Sequence, residues 1–214
     1  GGGLGPVGWA VGGRSARLRG VWRLSHADRR GVRLGGETMA CADRAARLEM
    51  CIDQVPGGKA VYTSLTVADN LLIGGYTLLN DHAGLENRIA SALENFPVLT
   101  ERLDQLAGTL SGGEQQMLGL ATAMILKPQI LCIDELSLGL APVMVQQVLE
   151  TVDRLKAQGL TMIIVEQSIN VALAISDRAV FMEKGQVKFE GPAKELAERD
   201  DLVRAVFLGG GQGG

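Results

Sequence analysis

Apolar positions in this 214-residue chain follow two different periods. Ile130-Leu131-Cys132-Ile133 and Thr161-Met162-Ile163-Ile164-Val165 are short continuous runs, the length and β-branched content of strands buried on both faces. Between them Val145, Val148 and Val152 share one helical face behind Pro142. Proline is well placed in a first helical turn, which predicts a helix through Leu155. Earlier, Leu85, Ile89 and Leu93 recur every fourth residue, and Thr66 is placed to cap a helix through Ile73. Pro97 breaks that pattern ahead of a short helical piece expected at Leu99–Leu106, and good helix formers follow from Glu114 to Ala123. Ala45 to Met50 reads as a short helix. Ala179–Met182 and Val187–Phe189 flank Glu183-Lys184-Gly185-Gln186, a hairpin with glycine at its turn. Gly191-Pro192 then starts a helix, and Leu202 to Leu208 closes the chain before a glycine tail.

Composition narrows the class. With 46% hydrophobic and 4% aromatic residues, the chain can bury the core of one α/β domain with a subdomain attached. Its net charge of −3 hides a basic arm, since residues 1–35 hold seven Arg against Asp28 alone. That arm has no Lys and no aromatics beyond Trp9 and Trp22, a pattern that counts against nucleic-acid binding. Cys41, Cys51 and Cys132 lack metal-ligand spacing and read as free thiols of a reducing compartment. No apolar run approaches the ~18 residues that span a bilayer, so a membrane role is expected to come through partners. His26 and His82 read as surface residues.

Two stretches carry chemistry. In Thr109-Leu110-Ser111-Gly112-Gly113-Glu114-Gln115-Gln116 a glycine pair enters a helix. Unpaired N–H groups at a helix start bind anions, glycines admit a phosphate close to the main chain, and Ser111 adds a hydroxyl. The same letters also suit an ordinary capped helix start. Twenty residues beyond Glu114, the Ile130–Ile133 run ends in Asp134-Glu135. Twin acids at a strand tip are costly without a cation, and Mg²⁺ on a nucleotide phosphate is a common one.

Leu110-Ser111-Gly112-Gly113-Glu114-Gln115-Gln116, followed at this distance by an apolar strand and Asp-Glu, resembles the signature motif and Walker B of an ABC-type ATPase. Val55–Tyr62, Ser64–Leu71 and Leu136–Pro142 are similar to the ATPases of branched-chain amino acid transporters. The resemblance implies a P-loop NTPase-type (RecA-like) α/β sheet with helices on both faces and an inserted helical subdomain. Residues 31–65 and 127–209 would form the core, 66–126 the helical signature subdomain, 1–30 a poorly ordered Gly/Arg-rich region and 210–214 a flexible tail. It further implies ATP and Mg²⁺ as ligands. Asp134 would order the metal, Glu135 would act as general base and Gln167 would contact the γ-phosphate or the water. Ser111, Gly112, Gly113 and Glu114 would close in trans on a partner's ATP, and Ser137 and Gly139 of the D-loop would touch that partner.

The same resemblance exposes departures. Gly8-Trp9-Ala10-Val11-Gly12-Gly13-Arg14-Ser15 fits a degenerate phosphate loop with Gly8 and Gly13 as its glycines, Arg14 in the lysine place and Ser15 after it. The competing reading is a scrambled start to the gene. Val32–Glu37 falls where relatives place a strand and turn. Gly57 stands where the Q-loop glutamine is usual, and a plain turn is the alternative there. Weak or absent ATP binding by the chain alone is expected. The implied partners are a second ABC ATPase subunit, identical or not, transmembrane permease subunits and, indirectly, an external solute-binding protein, with no nucleic acid. The implied location is the cytoplasmic, inner face of the plasma membrane.

Overall fold

The computed structural model describes residues 8–12, 33–34, 37–38, 52–56, 61–183 and 186–199. Its centre is built by the two apolar runs, β5 (Ile130–Asp134) and β6 (Thr161–Val165), which lie side by side and parallel. Leu131, Ile133, Met162 and Ile164 are sealed from solvent. β4 (Ile52–Val55) adds parallel to β5 on one side. On the other side β1 (Gly8–Gly12) inserts between β6 and β7 (Arg178–Glu183), parallel to both. β8 (Gln186–Pro192) turns back antiparallel on β7, as the hairpin pattern predicts. The sheet order is β4-β5-β6-β1-β7-β8. A separate two-stranded pair, β2 (Arg33–Leu34) and β3 (Glu37–Thr38), lies in the stretch expected to hold a strand and turn.

Helices carry the rest of the core. α1 (Val67–Gly74) is capped by Thr66, whose hydroxyl accepts from the Asp69 N–H while Asp69 reaches back to the Thr66 N–H. α2 (His82–Leu93) buries Leu85 along the four-residue repeat. α3 (Pro97–Thr100) starts at the proline and buries Leu99. α4 (Gly112–Met124) is buried along most of its length, and α5 (Pro142–Ala157) presents Val148, Thr151, Val152 and Leu155 to the core. α6 (Ile169–Ile175) and α7 (Ala193–Ala197) complete the described helices. One apolar cluster runs from Leu71, Leu85 and Leu99 through Leu118 and Leu120 to Leu131 and Met162, joining the helical part to the sheet.

The helical piece expected at Leu99–Leu106 does not form. α3 stops at Thr100, and the following segment lies against the start of α1 instead. The N–H groups of Val67 and Ala68 donate to the carbonyls of Gln105 and Leu103 at 2.9 Å, and the Ala107 N–H donates to Leu65. Those carbonyls satisfy α1's otherwise orphaned first-turn donors, a tertiary gain that overrides local helix propensity. The stretches 45–50 and 202–208 lie outside the described residues.

Five parallel strands therefore end at one edge, at Val55, Asp134, Val165, Gly12 and Glu183. Strand order departs from chain order where β1 enters between β6 and β7. In open α/β sheets the crevice beyond such carboxyl ends, at a switch in strand order, is where ligands bind.

Candidate functional site

β5 delivers Asp134 as its last residue, half-buried and in register with Val165. Glu135 follows at φ 54°, a left-handed conformation that costs a residue with a Cβ about 1–2 kcal/mol. Two hydrogen bonds hold it there. Its N–H donates to the Val165 carbonyl at 2.8 Å, and its Oε1 accepts from Nε2 of Gln167 at 2.5 Å. The acid at the end of one central strand is thereby joined to the amide beyond the next. Glu135 is half-buried and Gln167 exposed, so neither is enclosed in apolar packing.

Glu166, between β6 and Gln167, carries a role the local sequence does not announce. It is only 4% exposed. A buried carboxylate must be supplied with donors. Its Oε1 accepts from the N–H groups of Gln167 at 2.9 Å and Ser168 at 3.2 Å, and its Oε2 accepts from the Ser137 N–H at 3.1 Å. The one sequence cue was an acid directly after five apolar-run residues.

Ser137 and Gly139 sit on the loop between β5 and α5. Gly139 has φ 73°, the conformation that favours glycine. Leu138 and Val143 on this loop and helix start are 55% and 70% exposed, an apolar surface beside the carboxyl edge.

The glycine pair opens α4. Ser111 is the N-cap: its hydroxyl accepts from the Glu114 N–H, while Glu114 Oε2 accepts from both the Ser111 N–H and hydroxyl at 2.8 Å. This is a reciprocal capping box. Arg102 Nε stands 3.2 Å from the other Glu114 oxygen. Burial pushes the Glu114 carboxyl up, yet the Ser111 hydrogen bonds and the Arg102 charge outweigh it and hold the group below its ordinary range. Ser111 and Gly112 are exposed, with the first-turn N–H groups of Gly112 and Gly113 lacking any intrahelical partner. Gly113 is buried, and a Cβ there would come 2.9 Å from the Cβ of Met144 on α5. One at Gly112 would come 3.2 Å from Cδ2 of Leu140. The signature turn thus packs against the loop and helix that follow Asp134-Glu135. Gly113 serves this close approach, and of the two glycines Gly112 is the one at the surface.

The expected phosphate loop needs correction. Gly8 is the first residue of β1, in register with Met162 near the amino end of β6. Four strand steps, about 13 Å, separate it from Gly12 at the carboxyl edge. It cannot also open a loop around phosphate. Gly13, Arg14, Ser15 and the Q-loop position Gly57 lie outside the described residues.

Asp134 and Glu135 suit a cation that arrives with a nucleotide. Among the described residues no group of three or more His, Cys, Asp or Glu converges on a common point. Mg²⁺ in phosphoryl transfer needs only one or two carboxylates, with phosphate and water completing its shell. Cys132, in β5 beneath these acids, is buried, and burial followed by the nearby Asp53 charge pushes its thiol up to about 12.

Residues 12–137, more than half of the chain, match the ABC transporter family model. The chain belongs to the ABC transporter family. It is 39% identical over 179 residues to the high-affinity branched-chain amino acid transport ATP-binding protein BraG of Pseudomonas aeruginosa, covering 84% of this chain and 76% of that one. It is 36% identical over 196 residues to a probable branched-chain amino acid transport ATP-binding protein, LivF, of Archaeoglobus fulgidus, covering 90% and 81%. Among solved structures, an ATP-binding cassette of an ABC transporter in its ADP conformation superposes with a TM-score of 0.83 at 23% identity, over 96% of this chain and 89% of the other. A nucleotide-free cassette superposes with a TM-score of 0.80 at 22% identity, over 94% and 87%. The chain is thus the ATP-binding component of an ABC transporter, with a P-loop NTPase fold. No helix among the described residues is long and apolar enough to cross a membrane.

Proposed function

We propose that this chain is an ATP-hydrolysing subunit of an ABC importer for branched-chain amino acids or related small solutes. The observation that carries the proposal is the bond between Glu135 and Gln167, which places a strand-end carboxylate and an amide together beside Asp134. In this reading Asp134 holds Mg²⁺, which when bound neutralises phosphate charge. Glu135 accepts the proton of the attacking water as general base. Its Oε1 is already engaged by Gln167, so Oε2 is the oxygen left to face the water. Ser111, Gly112 and Glu114 close on a partner subunit's ATP in trans, and Ser137 and Gly139 meet that partner. The Ser111 hydroxyl, which donates to Glu114 here, must turn from it to reach phosphate.

Residues 66–126 act as the helical signature subdomain and dock on permease subunits, with an external solute-binding protein acting through the permease. A cavity of about 520 Å³ between this region and β4, lined by Val61, Tyr62, Ile73, Tyr76 and Leu126, supports that assignment. Three of these, Tyr62, Ile73 and Tyr76, are exposed apolar residues at its mouth. The location follows from the partners: the cytoplasmic, inner face of the plasma membrane.

A second reading is a cassette that binds partners without turnover. The assignment of Gly8–Gly12 to a strand supports it to this extent: Gly8 is not available as the first glycine of the full motif. Mg-ATP hydrolysis by the chain paired with a competent ABC ATPase subunit and permease decides between them. The importer reading expects turnover that Ser111→Ala in this chain lowers. Turnover indifferent to Ser111→Ala and to Glu135→Gln here rejects it. Recovery of nucleotide binding in Arg14→Lys separates a weakened phosphate loop from an absent one.

A further inference from the structure

The buried carboxylate of Glu166 has no place in the chemistry described so far, although it accepts from three main-chain donors at the carboxyl edge of the sheet. Its partners come from two loops with different tasks. Gln167 and Ser168 belong to the loop beyond β6 that reaches Glu135, while Ser137 lies 29 residues away on the loop proposed above to meet a second subunit. Between the partner-facing loop and Glu135 there is thus a continuous path. The Ser137 N–H bonds to Glu166, Glu166 holds the Gln167 N–H, and the Gln167 side chain holds Glu135. A buried carboxylate depends on its hydrogen-bond donors, so movement of the Ser137 loop cannot leave Glu166 indifferent.

We propose that Glu166 is a positioning residue that makes the Glu135–Gln167 pair responsive to contact at the Ser137 loop. Engagement of a second subunit shifts Ser137, Glu166 follows its N–H donor, and Gln167 resets the Glu135 carboxylate. The proposal rests on the functional reading above for the second subunit at the Ser137 loop and for its catalytic consequence; the linkage itself is a property of this chain.

Two variants separate linkage from mere burial of charge. Glu166→Asp keeps the charge and the short-range donors of Gln167 and Ser168, but it is one methylene too short to span to Ser137. Glu166→Gln keeps the length and loses the charge. Hydrogen exchange of the nucleotide-free chain reads the linkage directly. Glu166→Asp is expected to speed exchange of the Ser137 amide at least about tenfold, the effect of one lost charge-assisted bond. The Gln167 amide should stay within about twofold. Unchanged Ser137 exchange overturns the proposal, as does equal acceleration of both amides. In the paired, hydrolysing complex both variants are expected to lower kcat about tenfold with KM for Mg-ATP within about twofold. Full activity in Glu166→Asp overturns the coupling. Should the unvaried complex show no turnover, the functional reading fails, while the exchange data still decide the linkage.

Discussion

Glu114 takes two hydrogen bonds at 2.8 Å from Ser111, one from its N–H and one from its hydroxyl, while Arg102 approaches its other oxygen from outside the helix. Replacing Glu114 by Ala removes half of a capping box and is expected to cost about 1–2 kcal/mol. The half-exposed Arg102 pair adds little to that. The carboxyl lies below its ordinary 4.5 in the folded chain. Its contribution is therefore present at neutral pH and fades only as pH falls below 4.5 through the folded-state value. Urea unfolding of the wild type and Glu114→Ala, compared at pH 7 and in steps below 4.5, should show the difference shrinking with acid.

Gly113 should be intolerant of any side chain. A Cβ there meets Met144, so Gly113→Ala is expected to destabilise by about 1–3 kcal/mol, the usual cost of overpacking. Met144→Ala removes the Cγ and Cε that crowd the same space but keeps the Cβ, so the double variant should recover only part of the loss. Thermal unfolding of the two single variants and the double one checks this.

The strained backbone at Glu135 sets stability against chemistry. Asn tolerates a left-handed conformation better than Glu, so Glu135→Asn is expected to hold or raise stability by up to about 1 kcal/mol. Under the proposed mechanism it also removes the general base, which should lower turnover by about 10²-fold or more. Parallel measurement of melting temperature and Mg-ATP hydrolysis tests both directions at once.

Cys132 is expected to be chemically silent while the chain is folded. With its thiol pushed up to about 12 by burial, thiolate is scarce at pH 8, and thiolate is the reactive form. Mass-spectrometric mapping after iodoacetamide at pH 8 should find Cys132 unmodified in the native chain and modified in urea.

Much of this fold could be read from local pattern because its elements are locally consistent. The two apolar runs, Thr66 before α1, Pro142 before α5 and the Gly185 hairpin each carry their own signal, and the structure places an element at each. Where the reading failed, distant partners decided. Residues beyond Thr100 gave up a helix to pair with the start of α1. Gly8 belonged to a glycine pattern that suits a loop, but the space between β6 and β7 made it strand. Glu166 looked like a plain strand end because its third donor, Ser137, is remote in sequence. Asp134, Glu135 and Ser111 stand out in the sequence as candidates, since the patterns that single them out depend on neighbours along the chain. The tie between the two loops does not, since it exists only in three dimensions.

The position of β1 has a consequence for how the chain is made. Trp9 lies in register with Ile163 on one side and Arg178 on the other, so this strand leaves the ribosome long before either neighbour exists. Its main-chain groups then wait without their final partners until the roughly 150 residues up to β6 have been synthesised. Pairings of such sequence separation form slowly and leave strand edges open to aggregation. Closure of this sheet is accordingly a late event, completed only when β6 and β7 arrive to enclose a strand translated well before them.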